Sequence, residues 1–315
     1  MIKYYEKQNR EIVEKDELYS ACWVNISPPF NQDELEYLAQ ELDIPLDFLT
    51  DSLDIDERSR YEREDDQRLI VLNTPILNTL EGVNSSIYIT APIGIVLTPE
   101  HIVTIAAFDN PILQRFLDNK IRNFEPSDKA SFVLQIMEQN VYRFLNCLKD
   151  LNLKRNLLEQ ELYDSSRNKE LQQLLSIEKS LVYFVTSLSS NELLKMKMQR
   201  TNFLLIRDDE DKSDLFADII IDNSQALEMA NIYTNILGGT MDAFASIISN
   251  NLNIVMQRLT LITIILMVPT LVASFFGMNV VSGLEKNNYA FGVIITVSIL
   301  FAIILALIFR RKKLF

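Results

Sequence analysis

The stretch LTLITIILMVPTLVASFF, residues 259–276, decides the fold. It runs 18 residues without a charge, about what a helix needs to cross the hydrocarbon of a bilayer. A second run, YAFGVIITVSILFAIILALIF, residues 289–309, is 21 residues long and also uncharged. One such run would fit a buried core helix. Two in tandem, joined by a short polar link, point to a membrane hairpin.

The flanks give the hairpin a direction. Arg258 stands just before the first run, and Arg310-Arg311-Lys312-Lys313 follows the second, while the link 277–288 carries one Lys and one Glu. Basic flanks stay on the cytoplasmic side. Both termini and everything before residue 259 are therefore expected in the cytoplasm, with the chain a multi-pass resident of the cell (plasma) membrane.

Outward from the hairpin, the 315-residue chain changes character. The formal net charge is −13, yet 48% of residues are hydrophobic, which is possible because the two are segregated. From Leu259 onward the only acidic residue is Glu285, so the acidity belongs to residues 1–258. An acidic surface of this kind repels phosphate and argues against nucleic acid as a partner; cations are the natural one, and the alternative is that the charge serves solubility alone. Cys22 and Cys147 have no framework or CxxC spacing, in keeping with a reducing compartment and no zinc site. His101, the one histidine, reads as structural, and the chain carries no P-loop, HExxH or Ser/His/Asp arrangement, so an enzyme is not expected.

Punctuation divides the acidic part. All but one of the nine prolines lie within residues 28–126, and neither Pro nor Gly occurs between Pro126 and Gly238. The first part reads as mixed structure: β-rich runs at 22–26, 69–72, 86–90, 93–97 and 101–105, with helices at 31–42 and 46–53. Whether it is α+β or α/β stays open at this level. Ser127 is the expected cap of a long amphipathic helix carrying Phe132, Ile136, Val141, Phe144, Leu148 and Leu151. A second helix is expected over 168–200, then a loop at Asp208-Asp209-Glu210-Asp211. A third begins near Ser213 and shows no stop before Phe276, a length on the order of 90 Å. Gly238-Gly239 either breaks it or marks a packed interface.

Stepping from Asp242 alternately by four and three residues gives Ser246, Ser249, Asn253, Met256, Thr260, Thr263, Met267, Thr270 and Ser274. A seam of polar and flexible residues thus runs through the first apolar span, where polar side chains normally face protein or water. The alternative is that the hydroxyls bond back to their own helix and simply pack. A pore would need several copies around an axis, hence a cyclic homo-oligomer. With no ionisable group inside the run, it would suit a cation that keeps its water.

Directly after the first span stands Phe276-Gly277-Met278-Asn279. Gly-Met-Asn at the outer end of the penultimate span, with a basic C-terminus after the last, resembles the CorA family of magnesium/cobalt transport proteins. MVPTLVASFFGMN (267–279), Trp23-Val24-Asn25 and the stretch Leu49 to Asp54 with Asp56-Glu57-Arg58 are similar to the same family. The resemblance covers most of the chain and is most specific over 240–280.

That resemblance implies a funnel-shaped homopentamer with an α+β (αβα) cytoplasmic domain, a long stalk helix and two C-terminal transmembrane helices. The layout it implies is 1–126 mixed α/β, 127–212 helical, 213–258 stalk, 259–276 first span, 277–288 outer loop, 289–309 second span and 310–315 basic tail. It implies Mg2+ influx, with Co2+ or Ni2+ as further ions, through a filter of Gly277, Met278 and Asn279. In it Asn279 forms the ring that meets the ion's hydration shell. Asp242, Asn253, Met256, Leu259, Met267 and Thr270 are the implied pore lining, with Met256, Leu259 and Met267 as the hydrophobic constriction. Mg2+ bound between cytoplasmic domains would hold the closed state, and Asp218 matches the position of a regulatory ligand. Phe276 stands where the family usually has Tyr, and the outer loop lacks the family's Met-Pro-Glu segment. Two other readings remain: the same fold carrying Co2+, Ni2+ or Zn2+, and a non-conducting membrane-anchored sensor or scaffold.

Overall fold

The structure is a computed structural model that describes residues 1–8, 11–19, 21–79, 85–164, 168–278 and 289–312. Its contacts divide into two units, Met1–Thr240 and Met241–Phe315.

Among the described residues, the first unit holds a seven-stranded sheet. Its strands are β1 (Ile2–Gln8), β2 (Glu11–Lys15), β3 (Trp23–Ile26), β4 (Arg60–Glu64), β5 (Gln67–Leu77), β6 (Tyr88–Leu97) and β7 (Ile102–Ala106). They lie in the order β2-β1-β3-β7-β6-β5-β4. β3 and β7 run parallel and every other pair is antiparallel, which settles the class as α+β.

The central strands read as unbroken apolar runs because both faces are covered. Alternate residues of β5 go to opposite sides, as a two-residue period requires. Leu69 and Val71 join a core with α1 (Gln32–Glu41), α2 (Leu46–Thr50) and the 3-10 turn Asp51–Leu53. Ile70 and Leu72 join the opposite core. There they meet α3 (Pro111–Leu117), α4 (Lys129–Asp164), α5 (Asn168–Thr201) and the first turns of α6 (Glu210–Phe276). The result is three layers, αβα. At the centre of the second core Trp23 is fully buried, with the rings of Tyr5, Phe124 and Phe132 at centroid distances of 5.2, 5.9 and 5.1 Å. Its indole N–H donates to Thr104 Oγ1 at 2.8 Å, so the polar end of the ring is satisfied where no water reaches.

Several boundaries differ from the expected ones for identifiable reasons. The cap of α4 is Asp128 rather than Ser127. Asp128 Oδ1 accepts from the Ser131 backbone N–H at 3.1 Å, whereas Ser127 turns its hydroxyl to Glu125. The acidic run 208–211 is only partly loop. Asp209 Oδ1 accepts from Lys212 N at 3.1 Å, and Glu210 and Asp211 form the first turn of α6, where carboxylates meet the positive end of the helix. The runs 86–90 and 93–97 are one strand, β6, passing through Pro92. The 46–53 helix is α2 followed by a 3-10 turn. α6 continues through Gly238-Gly239 without a break. A Cβ at either glycine would meet nothing within 4 Å, so neither packs against another part of the chain.

The second unit holds the rest of α6 and α7 (Ala290–Arg311). Both helices are long and apolar enough to cross a membrane, and in each the most apolar window is only 6% buried. A core helix of a water-soluble domain would be mostly covered by protein. These leave Met256, Leu259, Leu266, Met267 and Phe301 more than half exposed.

Candidate functional site

The stripe from Asp242 to Ser274 lies wholly on α6 within the second unit. At 100° per residue its ten members fall within an arc of about 120°, so one face carries them all. Leu259, one residue out of step, sits on the flank of that arc. Asp242, Asn253, Met256, Leu259, Met267 and Thr270 are all exposed in the single chain.

Four hydroxyls of the stripe share one local geometry. Ser246 Oγ donates to Asp242 O at 3.0 Å, and Thr260, Thr263 and Thr270 donate to the carbonyls of Met256, Leu259 and Leu266 at 2.8, 2.9 and 3.0 Å. Back-bonding, the alternative to pore lining, is therefore present at these positions. The two are compatible. A hydroxyl that gives its proton to its own helix keeps its oxygen lone pairs for something outside it.

At the end of α6, Gly277 N still donates to Ala273 O at 2.9 Å, and Met278, 57% exposed, begins the turn away from the helix. Asn279 lies outside the described residues. So does most of the loop that follows it.

Asp218 is in the first unit, exposed on α6. Among the described residues no group of three or more His, Cys, Asp or Glu is placed to hold a metal ion. Three of the acids after α2 are engaged within the chain. Arg60 takes Asp51 through Nη2 at 2.9 Å, Glu57 through Nε at 2.8 Å, and Glu62 through Nη1. Sequence reading passed over this clamp; its signal is the alternation of acid and base across 54–64. His101 is structural, as expected: it is 8% exposed with Nδ1 3.5 Å from Cys22 Sγ, and burial lowers its pKa.

Comparison with known proteins fits this architecture. A cobalt/magnesium transport protein, CorA, from Methanocaldococcus jannaschii is 26% identical over 297 residues, covering 93% of this chain and 91% of that protein. The protein of the same name from Thermotoga maritima is 23% identical over 297 residues, covering 92% and 82%. The complete structure of the M. jannaschii CorA magnesium transporter superposes with a TM-score of 0.83 at 23% identity, covering 99% of this chain and 98% of that one. Residues 19–311 match the family described as CorA-like Mg2+ transporter protein, and the chain belongs to that family.

Proposed function

We propose that this protein is a divalent cation channel that admits Mg2+, and Co2+ as a second ion, across the plasma membrane. The two full-length relatives are named for cobalt and magnesium transport. The observation that carries the reading is the exposed α6 stripe, whose threonine hydroxyls give their protons to their own helix and so keep oxygen lone pairs able to accept from outside.

The chemistry of the ion explains why that polarity suits it. Mg2+ gives up its water reluctantly, and a hydrated Mg2+ presents outward-pointing water hydrogens. A wall of acceptors takes those hydrogens without stripping the ion. The Thr oxygens are such acceptors, and the carbonyl oxygen of the Asn279 amide would be another at the outer mouth. Met256, Leu259 and Met267 are apolar on the same helix, and a narrow ring of such side chains closes a pore by excluding water.

One α6 encloses nothing, so the reading requires several copies around an axis, and the family resemblance implies five of them. The exposed apolar surface of α6 and α7 then divides between neighbouring copies and lipid. Arg258 before the first span and Arg310, Arg311 and Lys312 after the second support a cytoplasmic side for both termini. Cytoplasmic Mg2+ closes the channel by bridging acids of neighbouring copies, with Asp218 among the ligands. When the ion leaves, repulsion within a chain of net charge −13 loosens the ring.

The test is Mg2+ influx into proteoliposomes, wild type against Asn279→Ala. Rapid influx that the substitution abolishes or makes unselective, with the oligomer intact, supports a channel with its filter at residue 279. Absence of influx at low internal Mg2+, repeated with Co2+, Ni2+ and Zn2+, overturns transport and leaves a membrane-anchored sensor.

A further inference from the structure

Lys195 of α5 is fully buried, at 0% exposure. Among the described residues its Nζ has one hydrogen-bond acceptor, the neutral carboxamide oxygen of Asn223 on α6, at 2.6 Å. Asn223 is also fully buried, and its Nδ2 donates back to Leu188 O of α5 at 3.0 Å. The amide is thus gripped at both ends by α5. One acceptor serves a neutral amine well, but it leaves two N–H groups of an ammonium without a partner in a dry site.

The charges around the amine do little to offset this. Glu192, on the same helix, favours the charged form, but its carboxylate is turned to Ser224 of α6. The buried face of α6 at this level is Phe216, Ile219, Asn223 and Ala226, none of them ionisable. On the sheet side Arg60 is held by Asp51, Glu57 and Glu62, and Tyr61 by Thr201. The buried charges Arg155 of α4 and Glu170 of α5 lie toward the other end of the α4–α5 hairpin. Burial outweighs Glu192 and pushes the lysine down to about 7.

We propose that Lys195 and Asn223 form a proton-operated latch between α5 and α6, held while the amine is neutral and released when acid charges it. Undocking exposes Lys195 to water, where its pKa returns to about 10.4, so opening takes up a proton at any pH between the two values. Acid therefore favours opening. The effect grows as pH falls toward 7 and then levels off, because below that the docked amine is charged as well. α6 carries the stripe of polar residues, so any bearing of the latch on transport rests on the channel reading, while the latch itself does not.

Hydrogen–deuterium exchange of the full-length protein tests it without any flux measurement. The quantity read is exchange in peptides covering 188–195 and 219–226 at pH 8 and pH 6, corrected for intrinsic rates. Proton linkage between about 7 and about 10.4 gives wild type a rise of about tenfold on going to pH 6. Lys195→Met should be flat. Asn223→Asp, which supplies a counter-charge, should reduce the rise to about twofold or less. A wild type that does not respond to pH, or a tenfold rise that survives in Lys195→Met, overturns the latch.

Discussion

Thr270 Oγ1 gives its proton to the carbonyl oxygen of Leu266, 3.0 Å away and one turn back along α6. The bond satisfies the hydroxyl proton inside the helix and leaves an acceptor facing outward, on an exposed residue eight positions before Met278. Thr270→Val keeps the shape and removes the acceptor. If hydrated Mg2+ hydrogen-bonds here, losing about 1 kcal/mol per contact should lower influx about fivefold or more, with assembly unchanged. Thr270→Ser should keep most of the flux. Equal influx for Val and Thr in proteoliposomes would remove Thr270 from the pore lining.

Asp128 and Lys212 join the start of α4 to the start of α6, with Lys212 Nζ 2.9 Å from Asp128 Oδ2. Partial burial works to raise the pKa of Asp128, but hydrogen bonds from Lys212 and Ser131 outweigh it and hold the carboxyl below its ordinary range. A depressed folded-state pKa contributes stability that is complete above the unfolded value near 3.9. That stability is lost as pH falls through the lower folded value. With both side chains partly in water, screening keeps the ion pair to about 1 kcal/mol or less. Asp128→Asn, still a good cap, should lose only that amount at pH 7 and flatten the acid side of the stability curve. Asp128→Ala should lose the cap too, about 1 kcal/mol more. Urea unfolding at pH 7 and pH 3 reads both.

Much of this was legible in the sequence where a period or its interruption carried the signal. The two apolar spans could be read because no charge interrupts them, α6 because its pattern runs on through Gly238-Gly239 and Pro269, and the stripe because a four-three step keeps to one helix face. β5 was seen only over 69–72 because Pro75 and Asn73 lie inside it, and β6 was split at Pro92. In β5 they are tolerated because β4 begins only at Arg60, opposite Val71, leaving the Asn73 backbone beside α5. There Asn191 both accepts from Asn73 N at 3.1 Å and donates to Asn73 O at 2.8 Å, standing in for a strand. β1 and β2 were missed because an edge hairpin has one side in water, and its Lys and Glu residues mask the pattern. Lys195 was invisible for the opposite reason: a lysine on an amphipathic helix reads as the wet face, and only its place against Asn223 shows otherwise.

Gly94 on β6 lies directly against Ser52 in the turn after α2. A Cβ there would lie 2.1 Å from Ser52 Oγ, 2.4 Å from Ser52 Cβ and 2.7 Å from Ile105 Cγ2. Ser52 is itself fixed by donating to Phe48 O at 2.7 Å, so it cannot step aside cheaply. Gly94→Ala should therefore cost about 1–3 kcal/mol through overpacking. In a Ser52→Gly background the worst contacts disappear and the cost of Gly94→Ala should fall. A double-mutant cycle in urea measures that coupling, and simple additivity would show that the turn moves away freely.

Asp218 carries the regulatory part of the proposed function. It is exposed on α6, and no group of three acids, histidines or cysteines forms around it among the described residues. Mg2+ does not need such a group, since it is commonly held by one or two carboxylates and keeps several waters. A site at Asp218 would therefore take its second carboxylate from a neighbouring copy, and its affinity would depend on assembly. Asp218→Ala should then require severalfold more Mg2+ to protect the assembled protein from limited proteolysis, while protection of a dissociated chain should not depend on Mg2+ at all. Unchanged protection in the variant would remove Asp218 as a ligand and move the search to other acids on the surface of the first unit.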